Sequence, residues 1–206
     1  LTVTTNGLQL HSSHQPPTRP LRVDLNCGRN YHRYRFGGGK NQMIAKAVGL
    51  KPKYRPNIFD ITAGLGSDAF VLATLGCHVT CIERSPVLFA LLRDGINRAH
   101  HTEAFHNLPI SIHYGDAHTL LPLLAKTTPP DVIYADPMFP HNTSSALVKK
   151  EMRIIRNLVG NDADADTLLP LCMSIAQRRV VIKRAYHAPC LNQQQPSIQY
   201  KGKSSR

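Results

Sequence analysis

Short apolar runs and amphipathic segments alternate along the middle of the chain. Short segments of four or five residues, the length of a strand and rich in apolar side chains, occupy residues 58–62, 79–82, 110–114, 132–135 and 179–183. Between and after them, apolar residues recur at three- and four-residue intervals, which predicts helices over 68–75, 86–98, 120–125, 146–158 and 168–177. Such alternation predicts an α/β fold of the Rossmann-like class, a doubly wound and mostly parallel sheet.

The residues before this alternation have a different character. Residues 1–35 are rich in proline, arginine, asparagine and histidine. Short strands are expected at 2–4 and 21–25, with a loop over 12–20 between them. The pattern predicts a small N-terminal appendage over 1–35 and a main α/β domain over 36–206. At the other end of the chain, Ile198 and Tyr200 lie in a polar stretch where one further edge strand is expected.

Charge and cysteine usage narrow the classes of function. Lys and Arg number 25 against 13 Asp and Glu, a net charge of +12, which favours a polyanionic partner or serves solubility alone. No apolar stretch reaches about 18 residues, so no membrane span is expected. Five cysteines without a Cys-x-x-Cys pair, and histidines without His-Glu-x-x-His, predict no metal site and a reducing cytoplasm. The oligomeric state stays open.

Three strand ends carry residues typical of a nucleoside site. Gly64 and Gly66 form a tight turn after the first strand, where the backbone can approach a ligand. Glu83 ends the next strand. An acid about 20 residues after the glycine turn typically accepts hydrogen bonds from the ribose hydroxyls, and Glu83 fits that spacing. NAD and S-adenosylmethionine share that ribose, so these residues do not choose between them. Gly115-Asp116 follows the third strand, either as an adenine contact or as a plain turn.

The fourth strand ends in Asp136-Pro137-Met138-Phe139-Pro140, which points to the chemistry. It resembles the Asp/Asn-Pro-Pro-Tyr/Phe motif of amino-group methyltransferases, with methionine in place of the second proline. Prolines stiffen the backbone, so Asp136 and the Pro137 carbonyl can accept hydrogen bonds from one amine while Phe139 stacks on its base. These three are the predicted catalytic residues.

Several strings together resemble one known family. The stretches 35–39, 60–66, 83–86, 136–140, 145–153 and 180–184 are similar to the bacterial small-subunit ribosomal RNA guanine-N2 methyltransferase J family. The resemblance covers roughly residues 33–186. It implies S-adenosylmethionine as cofactor and methylation of N2 of one guanine near the 3′ end of 16S ribosomal RNA, free or in the small subunit.

The resemblance also implies which side chains meet the cofactor. Taken with the strand-end residues, the predicted cofactor-binding set is Asp60, Gly64, Gly66, Ser67, Asp68, Glu83, Arg84, Gly115, Asp116 and Asp136.

Basic residues near these motifs are candidates for RNA contact. Arg33 and Arg35 interleave with aromatic residues in a predicted loop, an arrangement suited to phosphates and unpaired bases or to simple solvation. The remaining candidates follow the fourth and fifth strands: Lys149, Lys150, Arg153, Lys183 and Arg184. For the last two, a structural ion pair is the alternative.

Other functions stay open at this point. The glycine turn and Glu83 also suit an NAD-linked oxidoreductase, although no acid–base set for hydride transfer is evident. A methyltransferase acting on another nucleobase amine and a non-catalytic RNA-binding protein are the remaining alternatives.

Overall fold

A computed structural model describes residues 1–11, 20–36, 39–138, 164–202 and 205–206. Its strands are β1 Thr2–Thr4, β2 Gly7–Gln9, β3 Asn57–Asp60, β4 His78–Glu83, β5 Ile110–Tyr114, β6 Val132–Ala135 and β7 Arg179–Ile182. Its helices are α1 Gly28–Phe36, α2 Met43–Ala47, α3 Ser67–Thr74, α4 Pro86–His100, α5 Ala117–Thr127 and α6 Ala165–Ile175.

Five parallel strands form the central sheet, in the order β5-β4-β3-β6-β7. The chain moves outward from β3 to β5 on one side and then returns to place β6 on the other side. The strand order therefore reverses between β3 and β6, and at such a switch point the carboxyl ends of the strands leave a crevice for a ligand. The predicted Rossmann-like class is confirmed.

Helices cover both faces of the sheet, which explains why its strands carry apolar residues on both sides. One core contains buried residues of α3 and α4 against Ile58 and Val132, and the other packs α5 and α6 against Phe59 and Ile133. Neighbouring residues of a strand point to opposite faces, so a strand buried on both sides, as β6 is, carries apolar residues at successive positions.

The N-terminal segment shares the first of these cores. β1 and β2 form an antiparallel hairpin, and Leu21, Val23 and Leu25 are buried beside residues of α3 and α4. Arg98 on α4 donates to the Val23 carbonyl and to Asp24 Oδ1. The predicted division at residue 35 falls inside α1 and stays a prediction.

Three local expectations were wrong. Residues 21–25 form no strand, and a single bridge joins Leu10 to Leu21. The predicted loop around Arg33 is the helix α1, which packs against α3. No strand forms at residues 198–200. The helix predicted over 146–158 lies outside the described residues.

The contact between the N-terminal segment and α4 is testable at Gly95. An alanine Cβ there would lie 2.5 Å from Val23 Cγ1 and 3.0 Å from the Val23 carbonyl oxygen. We expect Gly95→Ala to lower the free energy of unfolding by about 1–3 kcal/mol, because this overpacking outweighs the gain in helix propensity. Urea denaturation measures it. Asn97→Ala, at an exposed position of α4, is the control and should change little; a Gly95→Ala protein as stable as wild type would contradict the packing.

Candidate active site

Strand register brings the ends of β3, β6 and β7 together. Asp60 pairs with Tyr134, and Ala135 pairs with Ile182. The next residues therefore leave the sheet side by side, and the Asp136 amide donates to Thr62 Oγ1 at 2.7 Å. Parallel pairing thus positions the Asp136 motif directly above the switch point.

A cavity of about 380 Å³ opens at this edge of the sheet. Six of the thirteen acidic residues of the chain line it, namely Asp60, Asp68, Glu83, Asp116, Asp136 and Asp164. Among the described residues, the cationic side chains that line it are Arg33, Arg84 and Lys183. A strongly basic protein therefore surrounds an acidic cavity, which suits a ligand of net positive charge and disfavours the pyrophosphate of a dinucleotide.

The glycine turn has two distinct functions. Gly64 and Gly66 both have positive φ, at 56° and 72°. A Cβ on Gly66 would lie 2.4 Å from Leu92 Cδ1, so that glycine permits α3 to pack against α4. A Cβ on Gly64 meets no atom closer than 3.9 Å, and this glycine lines the cavity. Of the two predicted cofactor glycines, Gly64 has the open approach.

Glu83 is fixed at the tip of β4 by backbone donors. Its Oε2 accepts from Gly64 N at 2.8 Å and its Oε1 accepts from Ser85 N at 2.7 Å. The side chain is buried yet lines the cavity. A buried carboxylate held by two N–H groups is a preorganised acceptor for further hydroxyl donors.

Asp60 is buried below the glycine turn, with a relative exposure of 2%. Its Oδ1 accepts from Thr62 N at 3.2 Å. Burial raises the pKa of Asp60 to about 8, and nearby Asp68, Asp136 and Glu83 add to the rise, while the hydrogen bond from Thr62 opposes it. A buried proton therefore resides at the floor of the cavity at neutral pH.

A second carboxylate, Asp68, is held by three donors. Arg33 Nη1 donates to Oδ1 at 2.6 Å, while the Tyr134 hydroxyl and Lys183 Nζ donate to Oδ2 at 2.6 and 2.8 Å. Burial opposes ionisation of Asp68, but Lys183 and Arg33 outweigh it and lower its pKa to about 2. Lys183 Nζ also donates to Asp136 Oδ2 at 2.7 Å.

The third strand end combines a helix cap with a polar cluster. Asp116 Oδ1 accepts from His118 N at 2.8 Å and caps α5, and both Gly115 and Asp116 line the cavity. Arg84 Nη1 contacts both carboxylate oxygens of Asp164 at 3.0 Å. Asp116, His118 and Asp164 place ligand-type atoms within 4.8 Å of one another.

The remaining predicted residues fall into four groups. Ser67 begins α3 at the cavity, and Pro137 and Met138 also line it. Arg35 is exposed on α1. Arg184 is only 6% exposed, and its Nε and Nη2 donate to the Pro189 carbonyl. The others lie outside the described residues: Phe139, Lys149, Lys150 and Arg153.

Sequence reasoning missed three residues of this site. Thr62 and Tyr134 each lie two residues from a predicted acid, Asp60 and Asp136. Residues two apart in a strand share a face, so this spacing was the available signal. Asp164 precedes α6, and only the fold brings it to Arg84.

The whole chain matches one protein-family model. The model described as "Putative SAM-dependent methyltransferase" covers residues 1–206. Ribosomal RNA small subunit methyltransferase J of Cellvibrio japonicus is 50% identical over 213 residues, covering 100% of this chain and 80% of that protein. The chain belongs to the methyltransferase J family.

Two further comparisons agree. The methyltransferase J protein of Pseudoalteromonas translucida is 49% identical over 203 residues, covering 97% of this chain and 80% of the relative. The crystal structure of a SAM-dependent methyltransferase from Neisseria gonorrhoeae has a TM-score of 0.74 and 37% identity, covering 93% of this chain and 74% of that one.

Membership of the methyltransferase J family identifies the enzyme class and the cofactor. The protein is a methyltransferase that uses S-adenosylmethionine. The cofactor carries a sulfonium, an ammonium and a carboxylate, so its net charge is positive and fits the acidic cavity. The NAD-linked alternative is therefore wrong. Among the described residues, no helix has the length and apolar character to cross a membrane.

Asp60 predicts a defined pH dependence of stability. Its pKa is about 8 when folded against 3.8 for an ordinary carboxyl, so between these values the folded state holds one more proton than the unfolded state. Stability contributed at this site is therefore lost as pH rises through that window, by at most about 1.4 kcal/mol per pH unit. Asp60→Asn removes the effect, and its stability relative to wild type should increase from pH 5 to pH 8.

Urea denaturation at each pH measures this difference. Glu103→Gln, an exposed acid between α4 and β5, is the control and should run parallel to wild type. A constant offset between Asp60→Asn and wild type across the range would contradict the proton on Asp60.

Proposed function

We propose that this protein transfers a methyl group from S-adenosylmethionine to the exocyclic N2 of a guanine near the 3′ end of 16S ribosomal RNA. The activity belongs in the cytoplasm, where this RNA is found. The observation that carries the proposal is the Asp136 carboxylate at the acidic cavity: the backbone amide of this residue donates to Thr62 Oγ1, and its Oδ2 accepts from Lys183 Nζ. The names of the relatives support small-subunit RNA as the substrate.

The chemistry of an exocyclic amine explains this arrangement. Its lone pair is delocalised into the ring, so the nitrogen is a weak nucleophile. Acceptors on its N–H groups favour a more tetrahedral nitrogen and direct the lone pair to the methyl group. Asp136 Oδ1 has no hydrogen-bond partner among the described residues, so one oxygen is available to the amine. The Pro137 carbonyl is the proposed second acceptor.

We assign each part of the cofactor to a different residue of the cavity. Glu83 is placed to accept the ribose hydroxyls, and Asp116, whose Oδ1 caps α5, has Oδ2 for the adenine amine. Gly64 provides the open approach of the backbone. Bound there, S-adenosylmethionine supplies an electrophilic methyl group on its sulfonium.

The activity is testable with ribosomal subunits and ribosomal RNA from cells that lack this gene. Wild-type protein should methylate one guanine at N2, mapped by mass spectrometry of RNA digests. Asp136→Asn should reduce kcat by about 100-fold or more, because one acceptor becomes a poorer one, while cofactor affinity falls much less, through the loss of one of several carboxylates around the cavity. Calorimetry measures that affinity.

Glu103→Gln provides the matched control, since this exposed acid lies away from the cavity and should keep full activity. Methylation of a different nucleobase amine would overturn the guanine assignment and leave the methyltransferase in place. Full activity of Asp136→Asn would overturn the role of the carboxylate.

The RNA contact surface that we propose includes α1. Tyr31 and Tyr34 are partly exposed, Phe36 is 72% exposed, and Arg35 is exposed beside them. On the same helix, Arg33 points into the cavity. Aromatic and basic side chains on one helix next to the site suit unpaired bases and phosphates of single-stranded RNA.

Separate substitutions on α1 distinguish stacking from charge. Phe36→Ala should weaken RNA binding by about 1–3 kcal/mol if a base stacks on the ring, with an unchanged salt dependence. Arg35→Ala should reduce the slope of log affinity against log salt by about one. Lys126→Ala, exposed at the end of α5, is the control. Unchanged affinity and salt slope for both α1 variants would remove the helix from the interface.

A further inference from the structure

Lys183 lies between two carboxylates, one of which is the proposed acceptor of the substrate amine. Its Nζ is 2.7 Å from Asp136 Oδ2 and 2.8 Å from Asp68 Oδ2. The backbone also fixes its origin, because Lys183 N donates to the Ala135 carbonyl at 2.8 Å. The register of β6 and β7 therefore places the backbone of Lys183 next to that of Asp136.

The other end of this contact is rigid. Asp68 is 12% exposed at its side chain and is held by Arg33 from α1 and by Tyr134 from β6, in addition to Lys183. It stays ionised through the physiological range, because Lys183 and Arg33 outweigh its burial and keep its pKa near 2. The ammonium of Lys183 therefore lies between Asp68, which stays ionised, and Asp136.

We propose that Lys183 is a positioning residue for methyl transfer, which holds Asp136 Oδ2 so that Oδ1 is presented to the substrate amine. This rests on the proposed role of Asp136 as amine acceptor. A free carboxylate rotates and offers either oxygen, whereas one oxygen held on an ammonium that Asp68 also anchors leaves the other in a single orientation. The sequence predicted Lys183 as an RNA contact; the geometry favours the structural ion pair that was its alternative.

Lys183 also controls the charge of Asp136. Burial raises the pKa of Asp136, Lys183 and Arg184 lower it, and Asp68 raises it. Asp60 and Tyr134 also lie within electrostatic reach. Lys183 is the strongest opposing influence, so its removal should raise the pKa of Asp136 further. A protonated Asp136 is a weaker acceptor, so methyl transfer then requires a higher pH.

Lys183→Met tests the proposal, because methionine keeps the unbranched shape and most of the length of the side chain and removes the ammonium. We expect kcat to fall at least tenfold at pH 7 with little change in KM for RNA. The acid limb of the kcat–pH profile should move to higher pH by about one unit or more. Lys183→Arg keeps the charge and should recover most of the profile. Lys126→Met is the matched control.

A second measurement reads the contact without catalysis. In protein with ¹³C-labelled aspartate carboxyl groups, the Asp136 signal, assigned with Asp136→Asn, should titrate at higher pH in Lys183→Met than in wild type. Thermal unfolding of both Lys183 variants shows whether each variant protein is still folded. This titration stays informative even if guanine proves not to be the substrate, so failure of the proposed function and failure of the Lys183 assignment are distinguishable.

Two outcomes would overturn the proposal. One is an Asp136 titration and a kcat–pH profile in Lys183→Met that match wild type. The other is a loss confined to RNA affinity, with the salt slope reduced by about one, which would make Lys183 a phosphate contact.

Discussion

Parallel pairing of β6 with β3 on one side and with β7 on the other is the constraint on which the site depends. The pairing of Asp60 with Tyr134 and of Ala135 with Ile182 determines what leaves the sheet together. A slip of one residue would turn every side chain of a strand to the opposite face. Since β6 is buried on both faces, the two cores hold its register. The same register fixes the positions of the residues that follow β6 at the cavity.

The second organising feature is the separation of charge. A protein of net charge +12 collects six carboxylates around one cavity and keeps exposed basic residues such as Arg35 outside it. Such a concentration of acids is costly, since each raises the pKa of its neighbours. The structure relieves it in two ways, by keeping a proton on Asp60 and by placing Lys183 and Arg33 against Asp68.

Much of this was predictable from the sequence, and the limits have physical causes. β5 and β6 were predicted to the residue, because the apolar run of β6 identifies a buried strand and β5 alternates apolar with polar residues between Pro109 and Gly115. The alternation at Leu21, Val23 and Leu25 imitates a strand, but it comes from an extended segment packed on helices. α1 was missed because its polar and aromatic residues carry no apolar stripe, and its packing against α3 replaces that signal. The acids at the strand tips were predicted, whereas the partner of Lys183 depends on register, which no local pattern records.

The acidic cavity also distinguishes the cofactor before methyl transfer from the cofactor after it. Once its methyl group has gone, the sulfonium becomes a neutral thioether, and the spent cofactor has one positive charge fewer than the fresh one. At the proposed cofactor site, Glu83, Asp136 and the other carboxylates around the cavity attract the two molecules unequally, with the stronger attraction for the one that still carries its methyl group. Product exchange is thus favoured by the same electrostatics that binds the methyl donor, without any movement of the sheet.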